Sequence, residues 1–397
     1  MQALLVLIRV QLFGREKLSL LLMFSPWCVF STKKFIFAPL MAIEKITIEQ
    51  FLQLRGRYPV LDVRSPGEYN HAHIPGAYSL PLFTDEERKV VGTIYKQVNK
   101  EAAIKKGLEY FGPKMVNMID IAEKIMEEYN ISTEPKEKAV IVHCWRGGMR
   151  SAGVAWLLGL YGFKVYTIVG GYKYFRRWCI AQFEKEYSFK VIGGYTGSGK
   201  TAILNELKQR GSKIIDLEAI ARHKGSAFGN LQRGTQPTQE MFENILALEL
   251  ACVEKDITWI EDESQRIGDV NIPAPLHKSI QNCPLYFLEI PFEKRLQYII
   301  DGYGKFEKEA LAEAIIRIKK RLGGLETKTA LAFLEEDDLH NCFGILLKYY
   351  DKQYLKCLRQ KDEQFKPVKK IVCEDTDAIV NTRAMQKEQA FTEIKVN

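Results

Sequence analysis

The chain has no cysteine framework. Its eight cysteines (Cys28, Cys144, Cys179, Cys252, Cys283, Cys342, Cys357 and Cys373) include no C-x-x-C pair and no zinc-like spacing. That excludes a disulfide-stapled secreted scaffold and a zinc ribbon, and it suits a reducing cytoplasm in which most thiols are small apolar fillers. Long hydrophobic runs are also scarce. The stretch Leu18 to Phe30 is interrupted by Pro26, and it falls short of the ~20 apolar residues of a membrane span. Arg9, Arg15 and Lys17 precede it as they would a signal core, but no small-x-small cleavage site follows. Met41 opens Met-Ala-Ile-Glu-Lys-Ile-Thr-Ile in the manner of a start. Residues 1–40 are therefore expected to be an upstream extension, and no membrane role is expected. Extreme charge is missing too: a net charge of +8 and a pI near 8.8 permit an anionic partner without requiring one.

With 397 residues, of which 46% are hydrophobic, the chain can fill two cores. From Ile43 onward, short apolar runs alternate with helical segments, the pattern of an α/β protein. Two loops about 50 residues apart carry the chemistry. The first, Cys144-Trp145-Arg146-Gly147-Gly148-Met149-Arg150-Ser151, follows the apolar run Ala139 to Val142. The second, Gly194-Tyr195-Thr196-Gly197-Ser198-Gly199-Lys200-Thr201, follows Phe189 to Ile192.

A cysteine between a strand and a helix lies among backbone amides at the positive end of the helix dipole. Arg146 and Arg150 add fixed positive charge, and Gly147 and Gly148 let the amides curl inward. The expected product is a thiolate nucleophile in an oxyanion-binding bowl. From Cys144 to Arg150 the loop spans seven residues, the C-x5-R-[ST] spacing also found in tyrosine and dual-specificity phosphatases. Such a bowl is wide enough for a tetrahedral phosphate-like anion or for a larger chalcogen.

The second loop fits Gly-x4-Gly-Lys-Thr between a strand and a helix, with backbone amides around phosphate oxygens, Lys200 neutralising them and Thr201 available to Mg²⁺. The strand Ile257 to Ser264 ends in Glu261, Asp262 and Glu263, any of which suits a water-bridged Mg²⁺. Basic residues Lys173, Arg176, Arg177, Arg222, His223, Lys224, Arg317, Lys319, Lys320 and Arg321, with Tyr172, Tyr174 and Trp178 among the first group, are candidates for a nucleic-acid surface. The aromatic run Lys348 to Tyr354 reads as packing.

Several motifs resemble the rhodanese family: Leu61-Asp62-Val63-Arg64, Glu68-Tyr69, His73-Ile74-Pro75-Gly76-Ala77, the Cys144 loop and Gly170-Gly171-Tyr172. A sharper resemblance rests on the stretch Asp216 to Gly229, on Glu261-Asp262-Glu263-Ser264, on Lys319-Lys320-Arg321-Leu322-Gly323-Gly324, on Thr93-Ile94-Tyr95-Lys96-Gln97 and on the long Cys144 loop. It is to the tRNA 2-selenouridine synthase family, a rhodanese module fused to a P-loop module. The resemblance implies a rhodanese-like α/β domain over 41–182, a P-loop NTPase-like parallel-sheet α/β domain over 187–375 and a polar tail over 376–397. It also implies a cytoplasmic enzyme that S-geranylates wobble 2-thiouridine of tRNA with geranyl diphosphate and then installs selenium from selenophosphate, with a selenophosphate-supplying enzyme as a further partner. Cys144 would carry selenium as a selenopersulfide, assisted by Arg146 and Arg150 beside Gly147 and Gly148. Gly194, Gly197, Ser198, Gly199, Lys200, Thr201, Asp216, Glu218, Arg222, His223 and Asp262 would bind the diphosphate, with a nucleotide or selenophosphate as alternative occupant, and Thr201 and Glu261 would hold Mg²⁺. The competing reading is a rhodanese-type sulfurtransferase or C-x5-R phosphatase fused to a kinase or ATPase. A third is a non-catalytic module in which the P-loop regulates partner binding.

Overall fold

Two five-stranded sheets, each wholly parallel, organise the computed structural model, which describes residues 43–130, 138–224, 234–363 and 368–396. The first sheet contains β1 (Ile43–Ile46), β2 (Val60–Asp62), β3 (Tyr78–Ser79), β4 (Ala139–His143) and β5 (Lys164–Ile168), in the order β1-β5-β4-β2-β3. Every residue of β4 is buried. A continuous apolar strand is what the middle of a sheet covered on both faces requires. The second sheet uses β6 (Phe189–Gly194), β7 (Lys213–Ile215), β8 (Thr258–Glu261), β11 (Leu285–Glu289) and β12 (Val368–Val372), ordered β12-β11-β6-β8-β7. The short strands β9 (Arg266–Ile267) and β10 (Val270–Asn271) form a separate antiparallel pair. Both anion loops thus leave the C-terminal end of the central strand of a parallel sheet, where open α/β sheets gather their ligands.

One buried cluster runs through both halves, from Phe51, Tyr58 and Phe175 to Phe242, Ile260 and Phe287. The helices Gly171–Gln182 and Gln239–Cys252 pack across this junction. Tyr172, fully buried, donates its hydroxyl to Glu240 at 2.6 Å and accepts from Asn244 at 2.9 Å. Arg176 binds Glu243 and Asn244, and Asn244 also reaches the His73 carbonyl at 2.9 Å. Tyr172 and Arg176 are therefore joints between the two halves, which removes them from the expected nucleic-acid surface. Trp178 turns inward as well, stacking on Phe175 at 5.8 Å, while Lys173, Tyr174 and Arg177 stay exposed.

The stretch 376–397, expected to be a polar tail, is not one. Helix Ala378–Val396 lays Asn381, Thr382 and Met385, all buried, against helix Lys200–Gln209. Asn381 satisfies its burial by donating to the Asp375 carbonyl at 2.8 Å, so a polar composition still builds a packed face. β12 was also not foreseen, because its two lysines hide an edge strand; Lys369 lies over the Tyr286 ring at 4.9 Å. Residues 1–42, which include the expected extension, and residues 225–233, which end the Asp216 to Gly229 stretch, lie outside the described residues.

Candidate active site: two anion loops

Cys144 follows β4 and is only 3% exposed. The Gly148 amide points at its Sγ at 3.4 Å, and the Ser151 hydroxyl lies 3.3 Å from the same sulfur. That hydroxyl is also 3.0 Å from the Gly148 carbonyl. Its one proton can serve either acceptor, and an anionic sulfur competes better than a neutral carbonyl. Burial alone pushes the thiol pKa up, but the Ser151 hydroxyl and the amides of Ser151, Gly148 and Arg146 outweigh it, and the net shift is downward. Burial raises Cys179, Cys342 and Cys373 to about 12, 12 and 11; at Cys179 it prevails even over the hydrogen bond and charge of Arg176, and Cys342 and Cys373 have no donor to oppose it among the described residues.

The loop keeps its shape through close backbone packing. Gly147 adopts φ +63°, and a Cβ there would stand 2.7 Å from the Ile168 carbonyl. Gly171, at φ +57°, would drive a Cβ to 2.3 Å from the Cys144 carbonyl. Only glycine meets both demands at either position. The amides of Tyr172 and Lys173 then bind the carbonyls of Cys144 and Trp145, both at 2.9 Å. The Gly170-Gly171-Tyr172 motif is thus the floor of the bowl.

Arg150, in the first turn of helix Met149–Leu160, donates to Glu68 at 2.7 Å. Glu68 also accepts from the Ser65 amide at 3.2 Å and pairs with Arg88 at 3.2 Å. Burial raises the Glu68 pKa, but Arg150, Ser65 and Arg88 overcome it and hold the carboxyl below its ordinary value. Sequence reasoning placed Glu68 in a motif without a role; the structure makes it the carboxylate that orients Arg150. Arg146 stays exposed, and Trp145 and Met149, 36% and 54% exposed, add apolar surface at the mouth. Asp62, Arg64 and His73 are structural. Arg64 forks onto Asp62 at 2.6 Å and lies 3.8 Å over the Tyr172 ring, while His73 stacks on Tyr69 at 4.0 Å.

The second loop passes from β6 into helix Lys200–Gln209, with Gly197 at φ +84° and Gly199 at φ +71°. A Cβ on Gly197 would meet the Arg295 carbonyl at 2.8 Å. Ser198 donates to the Tyr195 carbonyl at 2.7 Å, and the Lys200 ammonium lies 3.4 Å from the Gly194 carbonyl. Two braces come from far along the chain. Arg295 grips Asp351 bidentately at 2.8 and 2.7 Å and donates to the Thr196 carbonyl at 3.0 Å. Tyr354 accepts from the Gly194 amide at 3.4 Å and donates to Asp262 at 2.7 Å. Within the run Lys348 to Tyr354, Asp351 and Tyr354 brace this loop, while Tyr349 packs against a separate core cluster.

At the end of β8 the chain separates its three acids. Asp262 turns toward Tyr354 and Gln281, whereas Glu261 and Glu263 face Glu218, and carboxylate oxygens of these three glutamates lie within 4.8 Å of one another. Thr201 donates to Glu218 at 3.1 Å. Glu261 is wholly buried, and neither of its oxygens has a hydrogen-bond partner among the described residues. Burial, then the charges of Glu218, Glu263 and Asp216, raise the Glu261 pKa well above normal against the pull of Lys200. Glu263 is pushed up to about 8, chiefly by burial, with Lys200 opposing and Glu218, Asp262 and Asp216 adding. Three crowded carboxylates and a hydroxyl are a hard oxygen set that fits a divalent cation. Asp216 caps helix Leu217–Ala221 through the Ala219 amide at 2.7 Å. Arg222, at φ +50° and exposed, and the buried His223 close that helix behind Glu218. Tyr298, missed in the sequence, has its pKa raised by burial and by Glu218 and lies against Gly199.

Comparison with known proteins gives one answer along most of the chain. Residues 187–389 match the tRNA 2-selenouridine synthase AAA domain, and residues 47–177 match the rhodanese-like domain. A tRNA 2-selenouridine synthase of Pseudomonas syringae is 35% identical over 75% of this chain and 87% of its own length. That of Bdellovibrio bacteriovorus is 34% identical over 81% and 94%, and that of a Sulfurovum species 35% identical over 70% and 79%. Among the described residues, no helix is long and apolar enough to cross a membrane.

Proposed function

The chain belongs to the tRNA 2-selenouridine synthase family, and from that premise we propose that it is a tRNA-modifying enzyme converting wobble 2-thiouridine to 2-selenouridine in two steps. In the first, geranyl diphosphate sits on the Gly194 to Thr201 loop. The loop amides and Lys200 take up the charge that develops on the diphosphate as its bond to the prenyl carbon breaks, and the sulfur of the thio-base captures that carbon. Thr201, Glu218, Glu261 and Glu263 would hold Mg²⁺, which supplies charge neutralisation to the departing diphosphate. In the second step the S-geranyl group, now a leaving group, is exchanged for selenium donated by selenophosphate at the Cys144 bowl. The amides that point at Sγ, together with Arg150, are suited to a tetrahedral oxyanion. Exposed Trp145 and Met149 offer apolar contact to the modified base. A selenophosphate-supplying enzyme is the upstream partner.

The observation that carries this reading is the coexistence, in two halves joined by one core, of a thiol facing the Gly148 amide and the Ser151 hydroxyl and of a phosphate loop backed by a carboxylate cluster. A kinase or ATPase would need the second site alone. Nucleoside mass spectrometry on thiolated tRNA incubated with protein, geranyl diphosphate, selenophosphate and Mg²⁺ tests it. Both S-geranyl-2-thiouridine and 2-selenouridine are expected; absence of both would defeat the reading.

A further inference from the structure

We propose that the Cys144 bowl is a phosphoryl acceptor: its thiolate attacks the phosphorus of a selenophosphoryl group and releases selenium as the nucleophile, instead of carrying selenium as a selenopersulfide. The proposal rests on the preceding reading that selenophosphate is the selenium donor.

Three features of the bowl point to phosphorus. Its span from Cys144 to Arg150 has the C-x5-R spacing of enzymes that form a cysteinyl phosphate. Arg150 is anchored to Glu68 through one nitrogen, and no other hydrogen bond engages its guanidinium among the described residues. It can therefore join the loop amides around three phosphoryl oxygens. The Ser151 hydroxyl, 3.3 Å from Sγ, is placed to donate to the sulfur when a sulfur–phosphorus bond breaks and the thiolate departs. A selenium carrier would also need an external reductant to open its sulfur–selenium bond, because the loop has a single cysteine.

Electron counting agrees. Attack of the thiolate on selenium would leave the bonding pair on phosphorus, reducing it, and the resulting sulfur–selenium bond would later need two electrons to open. Attack on phosphorus needs no redox partner. The sulfur–phosphorus bond forms as the phosphorus–selenium bond breaks, and the pair stays on selenium. Selenium bonds to C2 of the base, and the geranyl thiolate leaves with the carbon–sulfur pair and takes a proton from solvent. Water then attacks phosphorus, phosphate departs, and the pair returns to Cys144. The selenophosphoryl group is either free selenophosphate or one already attached to C2, and the same attack serves both.

The test uses the full chain with selenophosphate labelled at phosphorus, quenched within one turnover and digested. Label on the Cys144 peptide is expected, with none in Cys144→Ser. Ser151→Ala should slow discharge of the label more than its formation and so hold about tenfold or more label at steady state, because the leaving thiolate has lost its donor. Label without tRNA makes free selenophosphate the source; label only with geranylated tRNA places the group on the base. Selenium without phosphorus on Cys144, or no label in either wild type or Ser151→Ala while 2-selenouridine forms, overturns the proposal and leaves the two-step reading standing. Label on Cys144 without any selenonucleoside supports the bowl chemistry and contradicts that reading.

Discussion

The two loops share a scaffold, the end of a central parallel strand running into a helix, yet they are electrostatic opposites. Around Cys144 the protein gathers donors, the Ser151 hydroxyl and backbone amides, and an anion is favoured in place. Behind Lys200 it gathers acceptors: burial and the charge of Glu218 raise both Glu261 and Glu263, and a cation is what would relieve them. On the proposed function, the same strand–loop–helix unit would serve a built-in nucleophile in one half and a metal-assisted leaving group in the other. What differs is the next layer. Arg150 is tethered by Glu68 beside the first loop, whereas acids from β8 and from helix Leu217–Ala221 stand behind the second.

If the contrast is functional, variants should separate the steps. Replacing Cys144 by Ser should reduce selenation by about a thousandfold or more while leaving geranylation within about twofold, read as accumulated S-geranyl nucleoside. Lys200→Ala should slow geranylation by about a hundredfold, since one charged donor to the departing diphosphate is lost. The cation prediction is thermodynamic: a Mg²⁺ concentration about a hundredfold above Kd should add ~2.7 kcal/mol of stability, and Glu261→Gln should remove most of that gain, as calorimetry can check. Tyr172→Phe, which strips the shared joint of two hydrogen bonds, should cost about 1–3 kcal/mol of unfolding free energy. The smallest effect concerns pH. The Cys144 pKa is lowered, so its reactivity toward iodoacetamide should persist below the range of an ordinary cysteine and be lost as pH falls through the lowered value. Ser151→Ala should move that midpoint upward. A profile identical to that of a free cysteine would end the idea of an activated thiol.

Local sequence carried both loops and most of the strands, because apolar runs, glycines at fixed offsets and charged residues in a first helical turn act over short distances. It also carried the position of Cys144 in a glycine-containing turn between a strand and a helix. What it did not carry are groups that meet across the fold. Glu68 reaches Arg150 across 82 positions, and Tyr354 reaches Asp262 across 92. Neither contact has a periodicity to betray it. At the end of β8 the acids were readable as a set, but not which of them face Glu218; the strand's alternation sends Asp262 to the opposite side. The helix Ala378–Val396 escaped because its buried face is built from Asn381 and Thr382 beside Met385, where patterning looks for aliphatics.

The division of labour can be tested by bypassing the first loop. The Lys200→Ala and Cys144→Ser proteins are each given tRNA that already bears S-geranyl-2-thiouridine, with selenophosphate, and 2-selenouridine is measured. Lys200→Ala should now form it at close to the wild-type rate, and Cys144→Ser should not. Failure of Lys200→Ala on geranylated tRNA, or full activity of Cys144→Ser, would contradict the assignment of one step to each loop.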